Sequence, residues 1–264
     1  MDERERLEAV RARIDAVDTE LLRLIDERAA LARAVGEIKR TSGAPASARL
    51  PIRPAREAQL LRRLIASPRE AAGPEVVVRV WRELIAESVR IQNPIQLTVW
   101  GGRNAARLIE LARLRFGGAP RIALTDQPEA ALAAAKLPGQ VAVLALDGGS
   151  RWWGRLLAEP TLSVFASMPC LTGWGAQAAL AVGAVEVEPS GLDETYWVTD
   201  AAESAGAVEA ALQREGVAAR LIQEVGGLKL FGLPGYFQRD DARLARAPGR
   251  LAGVIGAAPA PFDL

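Results

Sequence analysis

The sequence predicts a multidomain chain, α followed by α/β. An all-helical module over residues 1–94 precedes an α/β region over 97–264, whose end from about 193 to 264 is a βαββαβ unit. Three observations carry this expectation. Apolar residues recur at alternating steps of three and four from Leu7 to Ile38, with no glycine or proline before Gly36. After Asn93–Pro94 the pattern changes to short apolar strands alternating with helical stretches. The final stretch then reads strand, helix, strand, strand, short helix, strand.

The first stripe runs Leu7, Val10, Ile14, Val17, Leu21, Leu24, then Arg28, then Leu31, Val35 and Ile38. A helix from about residue 3 to 40 spans roughly 55 Å at 1.5 Å per residue, too long for most single cores, so it needs a partner. The segment TSGAPASARLPIRP breaks the pattern with Gly43, Pro45, Pro51 and Pro54 and reads as a loop. A second helix is expected at about 55–67 and a third at about 74–92, where Val77, Val80, Trp81, Leu84 and Ser88 form the next stripe. Beyond Gln96 come a strand LTVW, a helix NAARLIELARLRFG, a strand RIALTD, a helix EAALAAAKL and a strand VAVLALDGG. The terminal order TYWVTDA, GAVEAALQREG, AARLIQEV, GLKLFGL, DDARLARA, LAGVIGA is that of a ferredoxin-like unit.

Composition narrows the chemistry. Thirty-three basic residues nearly cancel thirty-two acidic ones, which argues against nucleic acid or an anionic membrane as partner. The sequence holds no histidine, so imidazole triads, relays and histidine–metal sites are excluded, and one cysteine, Cys170, cannot build an internal disulfide. No metal and no cofactor are expected. The charged N-terminus lacks the apolar core of a secretory signal, and no run of about 20 apolar residues appears, so the cytoplasm is the expected location.

Arg28 sits on the stripe that the first helix should bury. A lone polar residue there often fixes only register or partner number. Here it has company: Arg11 and Lys39 beside the first stripe, Arg56 and Glu57 at the start of the second helix, Ser88 and Gln92 on the third. Arg28 and Lys39 are eleven residues apart and leave one face about 16 Å from each other, whereas Arg11 lies about 25 Å from Arg28 and roughly 100° away in direction. Arg11 must serve another site or another subunit. Several cations with one carboxylate, a hydroxyl and an amide suit a small dianion that carries a hydroxyl and a neutral acceptor. With no nucleophile–base pair, such a site works by orientation and electrostatics.

Over about residues 5–93 the stretches VRARIDAVDTELLRLIDERAALARAVGEIK, PIRPAREAQLL and LIAESVRIQ resemble the all-helical chorismate mutases, which rearrange chorismate to prephenate. The resemblance implies an interlocked homodimer in which each site takes one arginine from the partner. By it, Arg28 holds one substrate carboxylate with help from Ser88, and Arg11 of the other chain holds the second. Lys39 and Gln92 donate to the ether oxygen, Glu57 accepts from the ring hydroxyl, and Arg56 supports the carboxylate contact. Arg53 stands where the family usually has aspartate. Some relatives eliminate pyruvate from isochorismate, and that reaction stays open as an alternative, as does a non-catalytic dimeric sensor of an aromatic amino acid.

The second region resembles the prephenate dehydratase and amino-acid-sensing (ACT-like) domains that often follow such mutases, in EPSGLDETYWVTD and LAGVIGAAPAPF. The dehydratase's Thr-Arg-Phe triplet is replaced here by Thr195–Tyr196–Trp197, which argues against dehydration and for a degenerate relative. WGGRN after the first strand reads as a tight turn, Trp152–Trp153 as packing and Cys170 as an ordinary buried thiol.

Overall fold

The computed structural model describes residues 2–41, 50–147 and 149–264. Three helices open the chain: α1 (Glu3–Thr41), α2 (Pro54–Ala66) and α3 (Pro74–Gln92). Proline at the first turn starts both α2 and α3, where its missing N–H costs no helical bond. Most of the loop expected between α1 and α2 lies outside the described residues.

The α/β region follows with β1 (Gln96–Trp100), α4 (Ala105–Phe116), β2 (Arg121–Leu124), α5 (Pro128–Ala135) and β3 (Gln140–Ala145). Next come a 3-10 turn at Trp152–Ala158, β4 (Ser163–Met168) and β5 (Ala179–Gly183). The chain closes with β6 (Asp193–Thr199), α6 (Ala205–Arg214), β7 (Arg220–Val225), β8 (Leu228–Pro234) and β9 (Ala252–Pro259). All nine strands form one sheet in the order β2-β1-β3-β5-β4-β9-β6-β8-β7. β2, β1 and β3 run parallel, as their helical crossovers require, and β9, β6, β8 and β7 are antiparallel.

Two expectations differ from what is seen. The short helix expected at DDARLARA is a single 3-10 turn, Leu244–Arg246, because Asp241 binds the backbone and side chain of Arg243 and Pro248–Gly249 follow at once. β4 and β5 were not expected as strands; ALAVG is a short run of small apolar residues, fully buried and without period-two alternation.

The helices divide by what they bury. Leu50, Ile52 and Val89 join Leu97, Phe116 and Phe165 in one core cluster, and Ala58, Leu61 and Val78 join Cys170, Leu171 and Phe262 in another. α2 and α3 therefore share the core of the sheet, and Asn93–Pro94 marks a change of secondary structure within continuous packing. α1 behaves differently. Only Ala32 of its residues is buried, while Leu7, Val10, Ile14, Val17, Leu21, Leu24, Leu31, Val35 and Ile38 stay exposed. An apolar stripe of that length left in water marks an interaction surface. No described helix is long and apolar enough to cross a membrane.

The two parts of the sheet meet where β4 pairs with β9 at Val164 and Gly256. Gly256 sits beside a bulge in β9 with φ +143°, and a Cβ there would lie 2.2 Å from the Val164 carbonyl oxygen. Replacing it strains the backbone and forces the strands apart. Gly256→Ala is expected to lower stability by about 3 kcal/mol in urea unfolding; an unchanged midpoint would contradict the close approach.

Candidate active site

α1 meets α3 through its last four turns. Ala32 is buried at the contact, and a Cβ at Gly36 would lie 3.4 Å from the Gln92 side chain. These two small residues, four apart on one face, let the helices approach and bring the long side chains on either side across to α3. Arg28 Nη1 donates to the Leu84 carbonyl (2.5 Å) and to Ser88 Oγ (2.7 Å). Ser88 Oγ itself donates to the Leu84 carbonyl at 2.9 Å. Lys39 Nζ donates to Gln92 Oε1 at 3.1 Å, and Gln92 Nε2 donates to the Ser88 carbonyl at 3.2 Å. Arg28 with Ser88, and Lys39 with Gln92, thus pair along the groove between these two packed helices. Partial burial pushes the Arg28 guanidinium down from its usual range. A half-desolvated cation with a rotatable hydroxyl beside it is a receptor for a carboxylate.

The remaining expected residues are not in that groove. Leu84, Ser88 and Gln92 face α1, whereas Arg82 and Ala86 lie on the opposite side of α3, two residues and about 200° away. Glu57 is on that opposite side. Its Oε2 is 3.0 Å from Arg82 Nη1 and 2.9 Å from Arg115 Nη1, with all three side chains buried. In this conformation Glu57 does not lie with Lys39 and Gln92: two guanidiniums hold the carboxylate against the sheet. Arg53 pairs with Glu188 at 3.1 Å, and Arg56 is exposed beside it in a concavity that also includes Gln59 and Pro189. Arg11 is exposed on the first third of α1.

A polar cluster that the sequence reading missed lies in the sheet. The Tyr196 hydroxyl donates to Glu194 Oε2 (3.0 Å) and accepts from Gln177 Nε2 (2.8 Å), which also donates to Ser167 Oγ (3.0 Å). Arg220 donates to Glu194 Oε1 at 2.6 Å. Glu194 and Tyr196 are two apart on a strand and so share a face, the one signal that could have found them. Their neighbours in the triplet are used structurally: Thr195 Oγ1 donates to the Gly235 carbonyl (2.8 Å), and Trp197 packs on Phe231 at 5.9 Å between ring centres.

The weaker motifs have structural uses. The Asp147 carboxylate accepts from the Arg103 and Gly149 backbone N–H groups (3.0 and 3.2 Å), so an internal anion closes the turn after β1. Trp152 and Trp153 are buried and donate to the Ala145 carbonyl and Gln223. No group of metal-ligating side chains occurs among the described residues.

The groove and its four residues lie within the stretch 10–93, which matches the family model described as "Chorismate mutase type II". Residues 10–93 are a chorismate mutase type II domain. Curated relatives agree. The chain is 34% identical over 119 residues to the bifunctional chorismate mutase/prephenate dehydratase of Aquifex aeolicus, covering 43% of this chain and 31% of that protein. With the protein of the same description from Neisseria gonorrhoeae it shares 35% over 88 residues, 33% of this chain and 22% of the relative. The chain therefore spans under a third of the length of these relatives. Two solved structures are similar to part of this chain. One is titled a novel type of quorum quenching acylase, GqqA (TM-score 0.43, 16% identity, 62% of this chain and 95% of that one). The other is prephenate dehydratase from Streptococcus mutans (TM-score 0.37, 9% identity, 64% of this chain and all of that one). Both scores are too low to establish a shared fold. The chorismate mutase domain thus holds the α1–α3 groove, and Glu57 at the start of α2 is turned from that groove toward the sheet.

Burial and the Glu194 charge push the Tyr196 phenol well above its ordinary value. The sign follows from linkage: stability tied to the neutral phenol is complete below the unfolded value of 10.0 and is lost as pH rises towards the folded value. Between pH 8 and about pH 11 the wild type is expected to lose more stability in urea than Tyr196→Phe. Equal losses would show that Tyr196 is not the buried titrating group.

Proposed function

We propose that this chain is a chorismate mutase, an isomerase that rearranges chorismate to prephenate on the phenylalanine/tyrosine branch of aromatic amino acid biosynthesis. The observation that carries the reading is the convergence of Arg28, Ser88, Lys39 and Gln92 on one groove inside the chorismate mutase domain. Arg28 with Ser88 takes one substrate carboxylate. Lys39, and Gln92 once its amide is freed from Ser88, donate to the ether oxygen, where negative charge builds as the carbon–oxygen bond breaks. The reaction needs no nucleophile and no proton transfer, so these groups act by holding the diacid folded and by stabilising charge as it develops.

The reading includes a homodimer. The exposed stripe of α1 supports it, as does Arg11, which lies too far along α1 to reach its own Arg28 and would meet the groove of a second copy. Glu57, Arg53 and Arg56 stay outside the groove in the conformation described and hold no catalytic role in it. We divide the chain at 94–97 into a mutase unit and an α/β unit. We take the last part of the α/β unit as ferredoxin-like, a reading supported by the order β9-β6-β8-β7 with antiparallel neighbours throughout. Thr195–Tyr196–Trp197 carries no arginine, which speaks against dehydration. The burial of Glu57 favours one second reading, a dimeric sensor of an aromatic amino acid without turnover.

The test is spectrophotometric loss of chorismate, with the product identified as prephenate, pyruvate or phenylpyruvate. Prephenate is expected. Pyruvate would replace the reading with lyase chemistry, and no loss would favour the sensor. Arg28→Ala and Lys39→Ala are each expected to lower kcat/KM by about 100-fold or more with the oligomeric mass unchanged. No residue type in the proposed set ionises between pH 6 and 8, so the rate is expected to stay flat across that window.

A further inference from the structure

The ion cluster on the sheet side of α3 does not balance. Arg82 and Arg115 are 95% and 94% removed from solvent at their side chains, and one carboxylate, Glu57, serves both through a single oxygen, Oε2. The neighbouring acids are engaged elsewhere: Glu83 accepts from the Gly118 backbone N–H, and Glu87 pairs with Arg90. Undescribed residues cannot supply the missing charge, because Met1, 42–49 and Gly148 include no aspartate or glutamate. Burial pushes the Arg115 guanidinium down, and repulsion from Arg82 adds to it. Arginine nevertheless keeps its proton in proteins, so the pair stays doubly cationic. Arg82 Nε is buried and makes no hydrogen bond.

Both arginines line a small cavity between α2, α3 and the ends of β4 and β9. Ser167 and Cys170 share its wall with the apolar Pro259 and Phe262, and no carboxylate lines it. A buried cation in excess, an orphaned guanidinium N–H, a nearby hydroxyl and an acid-free cavity have one chemical complement. We propose that this cavity binds one small carboxylate anion per chain, held by Arg82 and Arg115 with its apolar part towards Pro259 and Phe262. Planar guanidiniums suit a carboxylate better than a spherical ion, because two parallel N–H groups meet its two oxygens. The site lies where the mutase helices rest on the sheet, so its occupant ties the two together. It uses none of the four residues of the α1–α3 groove.

The test is the melting temperature of the full chain, titrated with sodium acetate at constant ionic strength, chloride making up the balance. A saturable rise of a few degrees is expected, since a ligand bound only to the folded state stabilises it by mass action. Arg82→Met leaves Glu57 and Arg115 as a neutral pair, so it is expected to fold, to melt no lower than the wild type without acetate, and to show no acetate response. Arg115→Met is the second variant, with the same loss expected. Calorimetric titration of the wild type should give one acetate per chain independently of either variant. No saturable response and no binding heat in the wild type would overturn the site, as would a response that survives in both variants. Saturation by chloride alone, in an acetate-free titration balanced with fluoride, would overturn the carboxylate assignment.

Discussion

The arrangement depends on α3 having two opposite working faces. One side presents Leu84, Ser88 and Gln92 to α1, and the other presents Val78, Arg82, Ala86 and Val89 to α2 and the sheet. A helix turning 100° per residue keeps these two sets apart however the chain is folded around it. α3 therefore acts as a wall between a solvent-facing groove that collects donors and a dry seam that anchors the helices to the α/β unit. Each side obeys its own electrostatics. In the groove Arg28 is partly buried and Lys39 exposed, while the seam encloses two guanidiniums around one carboxylate.

That division explains the contrast between α1 and its neighbours. α2 and α3 bury apolar residues against the sheet. α1 buries only Ala32, touches α3 over its last turns, and leaves most of its apolar stripe in water. At about 1.5 Å per residue its 39 residues extend far beyond the groove it helps to form. Surface ion pairs such as Arg23 with Glu20 and Glu27 support the isolated helix only weakly. We propose that a helix so exposed is completed by another copy of itself, an association that would place Arg11 at a second groove.

Much of this was legible in the sequence, and the limits are physical. The first three helices and seven of the nine strands follow from periodicity, as does β1's place at the change of texture after Pro94. β4 and β5 were not legible because strands buried on both faces lose the alternation that marks a strand. Helical spacing groups Arg28 with Lys39 and Ser88 with Gln92, and only the resemblance to the chorismate mutases joins the two pairs. Glu57 could not be placed in the same way. Its position depends on how α2 packs, and that packing is decided by Arg115, a residue far away in sequence on α4 that no motif marks. Tyr196 was read only for the arginine it replaces, and its polar partners Gln177 and Ser167 come from other elements.

We propose that the groove on α3 becomes a site only when a second copy of α1 completes it. It is tested most directly by mixing two inactive variants, Arg11→Ala and Arg28→Ala, with subunit exchange through partial denaturation. Each mixed dimer would carry one site with both arginines and one with neither, so a random mixture should recover about a quarter of the wild-type chorismate mutase activity. A mixture as inactive as its components, with mixed dimers demonstrated by mass, would contradict the shared site.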